Sequence, residues 1–520
     1  MPDYILQLEN ITKIYPNGFV ANDKIVMDVE RGTIHALAGE NGAGKSTLMK
    51  VLFGIETHEE GRILYNGEQV TIKSPAHAIE LGIGMVHQHF MLVPSMTVAE
   101  NLIIGIEETN RWGLIDMDKI NAMVTDFAKR FNFKINPKQR IRDLTVGQKQ
   151  KVEIIKALIR GAKLLILDEP TAVLTPQETD ELFVQLHKMR EEGYTIVFIS
   201  HKLDEVLRLC DNYTVIRRGK TIQSGPIAGM TEADISRLMV GRDVILEITK
   251  PQAQKKQVVL QVKDLLQINK EGKKVVNRVN FTVKAGEILG IAGVEGNGQT
   301  ELSEAITGMD APEDGEVIIN GIPVTGKSIR KIRQSGLAHI SEDRMTYGCV
   351  EDKPVWVNIL SDRYYHKNYS GTFALKFKPI YDLANNAVKR FNIKADSIFD
   401  NVKQLSGGNI QKVVVAREFT SDANLIVANQ PTRGIDVGAT EFIRNELVRM
   451  TREEHKAVLL ISADLNEVLE LSDSLLVMVD GQFVAYFDDA SKLDEYELGK
   501  YMLGLERMDE TSIGRAYVEA

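Results

Sequence analysis

The segment GENGAGKST, residues 39–47, decides the fold of this chain. It matches the pattern G-x-x-x-x-G-K-[ST], whose glycines let backbone N–H groups surround phosphate oxygens at the start of a helix. The preceding GTIHALAG is typical of a buried strand, and the following STLMKVLFG has the pattern of a helix that ends at Gly54. The segment therefore predicts a loop that binds a nucleoside triphosphate, with Lys45 on the outer phosphates and Ser46 on Mg2+.

Two further apolar runs predict a parallel sheet. The segments KLLILDEP, residues 163–170, and YTIVFIS, residues 194–200, are typical of strands that are covered on both faces. Between them, Thr175 and Glu178 form the capping-box pattern of a helix start, and Gly193 marks the end of that helix.

A helical region interrupts this alternation of strands and helices. Thr97 and Glu100 repeat the capping-box pattern, and few strand signals follow until about Arg142. The predicted fold is therefore α/β, with a mainly parallel sheet and an inserted helical subdomain.

The same pattern occurs twice in the chain. LQLEN at Leu6 reappears as LQVKD at Leu260, and the loop at Gly39 reappears as GVEGNGQTE at Gly293, each 254 residues later. A repeat of this length indicates two tandem copies of one domain rather than a solenoid unit.

A polar stretch separates the two copies. It is EITKPQAQKKQ, residues 247–257, which has the composition of a linker. We therefore predict one domain over residues 1–246, a second over 258–507 and a tail over 508–520.

The composition is that of an ordinary globular protein. Of 520 residues, 43% are apolar and 26% charged, and the net charge of −9 lacks the basic surplus of a non-specific nucleic-acid binder. The two cysteines, Cys210 and Cys349, cannot build a disulfide framework, which favours a reducing cytoplasm. We expect no signal peptide, and no apolar window reaches the ~20 residues that cross a bilayer.

A carboxylate pair marks the expected reaction centre. Asp168 and Glu169 follow the apolar run of a strand, and open α/β sheets bind ligands at the carboxyl ends of their strands. Asp168 can hold Mg2+ and Glu169 can activate water, although such a pair also occurs as a helix cap or a loop. The neighbouring phosphate loop favours the catalytic interpretation.

Together these motifs resemble those of ATP-binding cassette (ABC) ATPases. The matching features are Tyr15, GENGAGKST, Gln88, LTVGQ at 144–148, LLILDEP and His201. The duplicated layout, SEDR at 341–344 and PTRGID at 431–436 are similar to the double-cassette motors of bacterial ribose, galactose and nucleoside importers. The segment HQHFMLVPSMTVAEN, residues 87–101, favours the nucleoside branch.

In this family each ATP lies between the phosphate loop of one cassette and the signature segment of the other. The resemblance implies a complete first site. Its implied ATP-binding residues are Tyr15, Gly39, Glu40, Asn41, Gly42, Ala43, Gly44, Lys45, Ser46, Thr47 and, from the second copy, Ser406, Gly407, Gly408 and Asn409. Its implied hydrolytic residues are Gln88, Glu169 and His201. Its implied metal ligands are Ser46, Gln88 and Asp168.

The same resemblance implies a degraded second site. At the positions of Tyr15, Lys45, Gln88, Asp168, Glu169 and His201, the second copy has Asn269, Gln299, Glu342, Asn429, Gln430 and Ala463. Val146 in the facing LTVGQ segment also replaces the glycine that lets the backbone approach phosphate. We therefore expect hydrolysis mainly at the first site.

Several of these residues also have simpler interpretations. Tyr15 could fill a surface groove, and His201 could be a hydrogen-bonded histidine at a strand end. The sequence HQH at 87–89 is a weak zinc pattern. Asp436 could cap a helix instead of contributing to the first site.

The resemblance implies an ATPase that moves membrane partners. Its cofactors would be ATP and Mg2+, and its partners would be two transmembrane permease subunits and an extracytoplasmic substrate-binding protein. It would lie at the cytoplasmic face of the membrane, attached only through the permease, with no nucleic acid bound. The alternative is a soluble double-cassette ATPase acting on ribosomes, but such proteins usually have a long charged linker and two intact sites, unlike this chain.

Overall fold

The chain divides into two compact units. The computed structural model describes residues 3–16, 18–40, 42–87, 90–107, 115–172, 174–200, 202–241, 250–294, 296–435 and 437–518. The units are Met1–Val244 and Ile245–Ala520. Their boundary lies just before the polar stretch that the sequence marks as a linker.

The first unit alternates strands and helices along the chain. Its strands are β1 (Tyr4–Ile14), β2 (Val20–Glu30), β3 (Ile34–Ala38), β4 (Glu60–Tyr65), β5 (Glu68–Val70), β6 (Ile83–Val86), β7 (Leu164–Asp168), β8 (Thr195–Ile199), β9 (Asn212–Arg217) and β10 (Lys220–Pro226). Its helices are α1 (Lys45–Leu52), α2 (Pro75–Glu80), α3 (Val98–Ile103), α4 (Met117–Arg130), α5 (Val146–Ile159), α6 (Pro176–Glu191), α7 (Leu203–Leu209) and α8 (Glu232–Val240).

The second unit repeats this order. Its strands are β11 (Val258–Ile268), β12 (Lys274–Lys284), β13 (Ile288–Ala292), β14 (Asp314–Ile319), β15 (Ile322–Pro323), β16 (Leu337–Ile340), β17 (Leu425–Asn429), β18 (Ala457–Ile461), β19 (Ser474–Val479) and β20 (Gln482–Phe487). Its helices are α9 (Gln299–Thr307), α10 (Ile329–Gln334), α11 (Val355–Leu360), α12 (Phe377–Arg390), α13 (Gly407–Phe419), α14 (Val437–Arg452), α15 (Leu465–Leu471), α16 (Glu495–Met502) and α17 (Glu510–Gly514).

The larger sheet of each unit has six strands in equivalent order. It runs β10-β9-β3-β8-β7-β6 in the first unit and β20-β19-β13-β18-β17-β16 in the second. Neighbouring strands pair in parallel except in the edge hairpins β9–β10 and β19–β20. The buried runs of the sequence form β3, β7 and β8 in its interior. The predicted duplicated, mainly parallel sheet is therefore confirmed.

Each unit also has a four-stranded antiparallel sheet that the sequence does not predict. It runs β2-β1-β4-β5 in the first unit and β12-β11-β14-β15 in the second. In the first unit its apolar face shares one core with the larger sheet and α1, and that core contains Leu6, Ile25, Leu37 and Leu48. Register shifts interrupt the pairing of β1 with β2, so their apolar residues do not alternate regularly.

The helical region forms where the sequence places it. Helices α3, α4 and α5 follow β6 and precede β7, and no strand lies between them within residues 90–107 and 115–163. Thr97 forms a capping box with Glu100 at the start of α3, as predicted. Helices α11, α12 and α13 occupy the equivalent place in the second unit, so the inserted helical subdomain is confirmed in both.

The described residues also bear on the membrane and disulfide expectations. Across the described ranges, none of the helices combines the length and the apolar composition of a membrane span. Cys210 and Cys349 are buried free thiols, so they build no disulfide.

Candidate nucleotide-binding site

The phosphate loop connects β3 to α1 and holds Lys45 in place. Lys45 Nζ donates to the backbone oxygens of Gly39, at 2.6 Å, and Glu40, at 3.0 Å, and its side chain is buried. Burial lowers the pKa of Lys45 from its usual value, while the carboxylates of Glu169 and Asp168 act in the opposite direction. The two backbone oxygens therefore hold the lysine ammonium within the phosphate loop.

The loop closes tightly because Gly44 has no side chain. Gly44 has a left-handed backbone, with φ 104°, and a Cβ atom there would lie 2.4 Å from the backbone oxygen of Ala21. Asn22 Nδ2 donates to the Gly44 oxygen at 3.0 Å and supports the same turn. Asn22 carries no sequence signal for this role, because β2 belongs to the antiparallel sheet that the sequence does not predict.

Tyr15 lies beside the helix that follows the phosphate loop. Its hydroxyl oxygen is 3.4 Å from Oγ1 of Thr47, and its side chain is half-buried. The ammonium nitrogen of Lys13 lies 5.5 Å from the centroid of the Tyr15 ring. The structure thus brings Tyr15 to the site, and its stacking on adenine stays a prediction.

The carboxylate pair lies at the carboxyl end of β7, where Asp168 is the last residue of the strand and Glu169 follows it, as the sequence predicts. Burial and the neighbouring charge of Glu169 raise the pKa of Asp168 to about 6, against the opposing effect of Lys45. Glu169 has a left-handed backbone, with φ 49°, and its N–H donates to the oxygen of Ile199 at 2.9 Å. Such a conformation costs ~1–2 kcal/mol for a residue with a side chain, so the surrounding fold holds this turn against local strain.

Some residues that the resemblance implies lie outside the described ranges. They are Asn41, Gln88 and His201, together with His89 and Asp436 from the alternative interpretations. Their roles therefore stay predictions. Gly42, Ala43, Ser46 and Thr47 do lie in the loop and the first turn of α1, where Ser46 is exposed.

The described residues fit a magnesium ion that is bound together with a nucleotide. A hydroxyl oxygen of Ser46 and a carboxylate oxygen of Asp168 are ligands of the kind that Mg2+ prefers, with phosphate oxygens beside them. The charge of Lys45, in the loop, opposes the rise in the pKa of Asp168. Among the described side chains, no three His, Cys, Asp or Glu residues form a cluster that could hold a metal by themselves.

The second unit keeps the backbone of this site and changes its side chains. Gly298 has φ 105°, close to the value at Gly44, and Gln430 has φ 50° with its N–H bonded to β18. Gln299 donates from Nε2 to the oxygen of Val294 at 3.3 Å. A neutral amide therefore stands where the first unit has the lysine ammonium.

The signature segment of the second unit has free donor capacity. Ser406 Oγ accepts from Nδ2 of Asn409 at 2.8 Å, and Asn409 Oδ1 accepts from the N–H of Lys394 at 2.8 Å. Within the described part of the chain, no side chain caps the first turn of α13. The Ser406 hydroxyl hydrogen and the first amides of α13 can therefore donate to an anion.

The signature segment of the first unit is arranged differently. Thr145 Oγ1 accepts from the N–H of Gln148 at 3.3 Å, and Gln148 Oε1 accepts from the N–H of Thr145 at 3.0 Å. The carboxylate of Glu178 packs on Gly147, since a Cβ atom at Gly147 would lie 2.4 Å from Glu178 Oε1. This signature is capped and faces a negative charge, which disfavours phosphate. The sequence marks Glu178 only as part of a helix start.

Each unit has a glycine loop between a strand and a helix, and a polar pair at the carboxyl end of a parallel strand. These features define a duplicated P-loop nucleotide-binding protein. Residues 23–172 and residues 276–433 each match the family described as ABC transporter. The chain belongs to this family, and it is an ATP-binding ATPase of the double-cassette type.

Import proteins are among the similar chains. The guanosine import ATP-binding protein of Bacillus subtilis is 43% identical over 96% of this chain and 98% of its own length. The nucleoside import ATP-binding protein of Lactococcus lactis is 42% identical over 96% and 98%. The glucose import ATP-binding protein of Haloferax volcanii is 40% identical over 96% of each chain. The resemblance drawn from the motifs is confirmed.

A solved structure shares the fold over most of the chain. It is a complex of an archaeal ribosomal stalk protein and an archaeal ribosome recycling factor, with a TM-score of 0.56 and 18% identity over 90% of this chain and 87% of the matched chain. At this identity the likeness shows the fold alone, so it lends no support to the ribosomal alternative.

Proposed function

We propose that the chain is the ATP-hydrolysing motor subunit of a membrane importer for nucleosides or simple sugars. The similar proteins named for import support this function. The guanosine and nucleoside import proteins, at 43% and 42% identity, favour nucleosides as the cargo. The segment at residues 87–101 favours the same branch.

One observation carries the proposal that hydrolysis occurs mainly at a single composite site. The intact phosphate loop, with Lys45 and Glu169, and the open signature at Ser406 belong to different units. The two remaining parts are altered: the second phosphate loop has Gln299 in place of lysine, and the first signature faces the Glu178 carboxylate. If the first phosphate loop pairs with the second signature, all of these intact features belong to one site. The site formed by the second phosphate loop and the first signature then contains all of the altered features.

In that site the side chains bind ATP and position water. Lys45 and the loop amides neutralise phosphate charge, and Ser406 with the Gly407 and Gly408 amides donates to the γ-phosphate. Glu169 would orient and deprotonate the attacking water, and the family resemblance assigns Gln88 and His201 to the same hydrolytic step. Ser46 and Asp168 would hold Mg2+, which supplies positive charge at the phosphate oxygens when it is bound.

The proposed partners are two transmembrane permease subunits and an extracytoplasmic substrate-binding protein. Similar proteins named as import ATP-binding proteins support a permease partner. The chain would be peripheral at the cytoplasmic face, attached through the permease alone. Closure of the cassettes on ATP and their opening after hydrolysis would transmit motion to the permease.

A pair of matched substitutions tests the composite site. Ser406→Arg places a long side chain in the signature of the second unit, and Thr145→Arg does the same in the first. We expect Ser406→Arg to lower the ATPase rate of the assembled complex about 100-fold or more, because it removes a donor and blocks the γ-phosphate. Thr145→Arg should retain most of the activity. A severe loss with Thr145→Arg and a tolerated Ser406→Arg would contradict the crossed arrangement.

Uptake by the reconstituted complex tests the cargo. Proteoliposomes that contain the permease, this chain and the substrate-binding protein would be given labelled guanosine, ribose or glucose at equal concentration. ATP-dependent accumulation of guanosine alone supports the nucleoside proposal, and accumulation of a sugar alone supports the sugar alternative. Recovery of ribosomes and no permease with the chain from native membranes would contradict transport.

A further inference from the structure

Two motifs without a role in the proposed function meet in the second unit. They are SEDR, residues 341–344, and PTRGID, residues 431–436, of which residues 431–435 lie within the described ranges. Arg344 donates from Nη1 to the backbone oxygen of Arg433 at 2.7 Å and from Nη2 to that of Gly434 at 3.3 Å. Because a guanidinium is a rigid fork, these two bonds fix the position of one segment on the other.

An ion pair between Arg433 and Glu342 links these two segments to the helix that follows the second phosphate loop. The Arg433 guanidinium pairs with the carboxylate of Glu342 in the SEDR segment. Glu342 Oε2 also accepts from Oγ1 of Thr300 at 2.8 Å. Thr300 lies in the first turn of α9, at the position that Ser46 has in the first unit. A continuous polar network therefore leads from the second phosphate loop to Arg344.

The same arginine contacts the signature segment. A Cβ atom at Gly407 would lie 3.2 Å from Nη2 of Arg344, so the guanidinium rests on the first residue of α13. A short π-helical turn, Arg344–Gly348, follows, and Arg417 of α13 donates from Nη1 to the oxygen of Gly348 at 2.7 Å. The SEDR segment is thus attached to the start of the signature helix, and the π-helical turn that follows it is attached to the same helix about three turns later.

The first unit has none of these side chains. At the positions of Glu342, Arg344 and Arg433 it has Gln88, Phe90 and Ala172. The network is therefore present only in the unit with the open signature, which is also the unit whose own phosphate loop lacks the lysine.

We propose that Glu342, Arg344 and Arg433 are positioning residues that hold the second signature in place for hydrolysis at the first phosphate loop. The inference rests on the proposed composite site, because only there does the second signature meet ATP. The three residues act through the backbone of Gly407 and Gly434. A displacement of about 1 Å in a positioning group can cost ~100-fold in rate, so the network has a measurable kinetic effect.

Variants of Arg344 test the positioning role in the assembled complex. Arg344→Ala removes both bonds, and Arg344→Lys keeps the charge without the fork. We expect both to lower kcat about 10-fold to 100-fold, with unchanged nucleotide affinity of the first loop and an unchanged thermal midpoint of the subunit. The control is Arg390→Ala, which removes an exposed arginine that pairs with Glu446 at 3.1 Å, outside the network. Its kcat should equal that of the unaltered complex.

Exchange of the ion pair gives a second measurement. Glu342→Arg and Arg433→Glu should each lower kcat, and the two together should restore most of it because the pair forms again. Unaltered kcat in Arg344→Ala, or no recovery in the double exchange, would overturn the positioning role. When Ser406→Arg abolishes hydrolysis and Arg344→Ala does not lower it, only this inference fails. When Ser406→Arg is tolerated, the composite site itself fails.

Discussion

At the scale of single residues, the same strained turn occurs with and without a carboxylate. Glu169 and Gln430 have φ values of 49° and 50°, and each N–H donates to the end of the neighbouring strand. The backbone therefore does not distinguish the two turns. What separates them chemically is the side chain, which can accept a proton from water at Glu169 and cannot at Gln430.

Glu169→Gln is therefore a substitution that this fold already accommodates. We expect ATP binding and stability to be retained and turnover to fall about 10²-fold to 10⁴-fold, because water activation is lost. Nucleotide affinity and the steady-state ATPase rate of the assembled complex measure the two effects separately. The matched control, Gln430→Glu, should add no second hydrolysing site, since its loop has Gln299 in place of lysine. Normal turnover in Glu169→Gln would remove this residue from the mechanism.

Residues with a local motif could be predicted, and residues that act across the fold could not. Lys45 and Glu169 follow from spacing alone, because loop and strand are short-range patterns. Glu178 reaches Gly147 and Asn22 reaches Gly44 only after distant segments have packed together. No local pattern carries such contacts.

At the scale of secondary structure, the signature helix α13 is anchored at its far end by a buried carboxylate. Glu418 Oε2 accepts from Arg333 Nη2 at 2.6 Å and from the N–H of His339 at 3.0 Å, and Oε1 accepts from Arg417 Nε at 2.7 Å. Burial by itself would raise the pKa of Glu418, but the Arg333 and Arg417 charges outweigh it and hold this pKa well below its usual value.

Glu418→Gln should destabilise the second unit in a pH-dependent way. At pH 7 the loss of the carboxylate should cost about 3–5 kcal/mol, because the partly buried guanidinium groups of Arg333 and Arg417 lose the negative charge of a fully buried partner. In the unfolded chain this glutamate protonates near pH 4.3, so the stabilisation is complete above that pH and declines as the pH falls below it. The difference in unfolding free energy between the two proteins should therefore shrink between pH 5 and about pH 2.

Denaturant unfolding at a series of pH values measures this difference. Asp352→Asn is the control, since it removes an exposed ion pair with Lys403 in the same unit. The control should leave the stability of the unit unchanged at every pH. A difference between Glu418→Gln and the unaltered chain that stays constant down to pH 3 would contradict the assignment.

The elements themselves were predictable to different degrees. Strands of the parallel sheet appear as continuous apolar runs because both of their faces are buried, as all five residues of β3 and of β8 are. Strands β1 and β2 expose one face and contain register shifts, so no clear period marks them. Helix starts with a capping box, such as Thr97 with Glu100, were predictable because the box is local.

At the scale of the whole molecule, the two units are equal in fold and unequal in chemistry. Their sheets have equivalent strand order, while Gln299, Asn429 and Gln430 of the second unit stand where the first unit has Lys45, Asp168 and Glu169. The duplication was predictable because glycines recur at a fixed distance along the sequence. The difference between the two nucleotide sites was predictable because each site residue of the first copy can be compared with its equivalent in the second. The signature segments differ in the opposite sense, since the altered one belongs to the first unit. Val146 predicts part of this difference from the sequence, but the contact of Glu178 with Gly147 forms only in the folded unit.

Substitution of the two loops measures this inequality directly. Lys45→Ala should abolish ATP hydrolysis by the complex, because the charge at the phosphates is lost. Gln299→Ala should leave most of the activity, since its amide already lacks that charge. Phosphate release at saturating ATP, compared with the unaltered complex, gives both rates. Equal losses in the two variants would show two working sites per chain.

If the composite site forms as proposed, the uncapped first turn of α13 would give ATP a structural role in addition to its role as the hydrolysed substrate. A helix without an N-cap is less stable by about 1 kcal/mol than one with a good cap, and within the described residues α13 has no capping side chain. In the proposed composite site the γ-phosphate would accept from those amides and take the place of the cap. On this proposal, binding of ATP would complete the first turn of α13, and each release of phosphate would leave that turn without a cap until the next ATP binds.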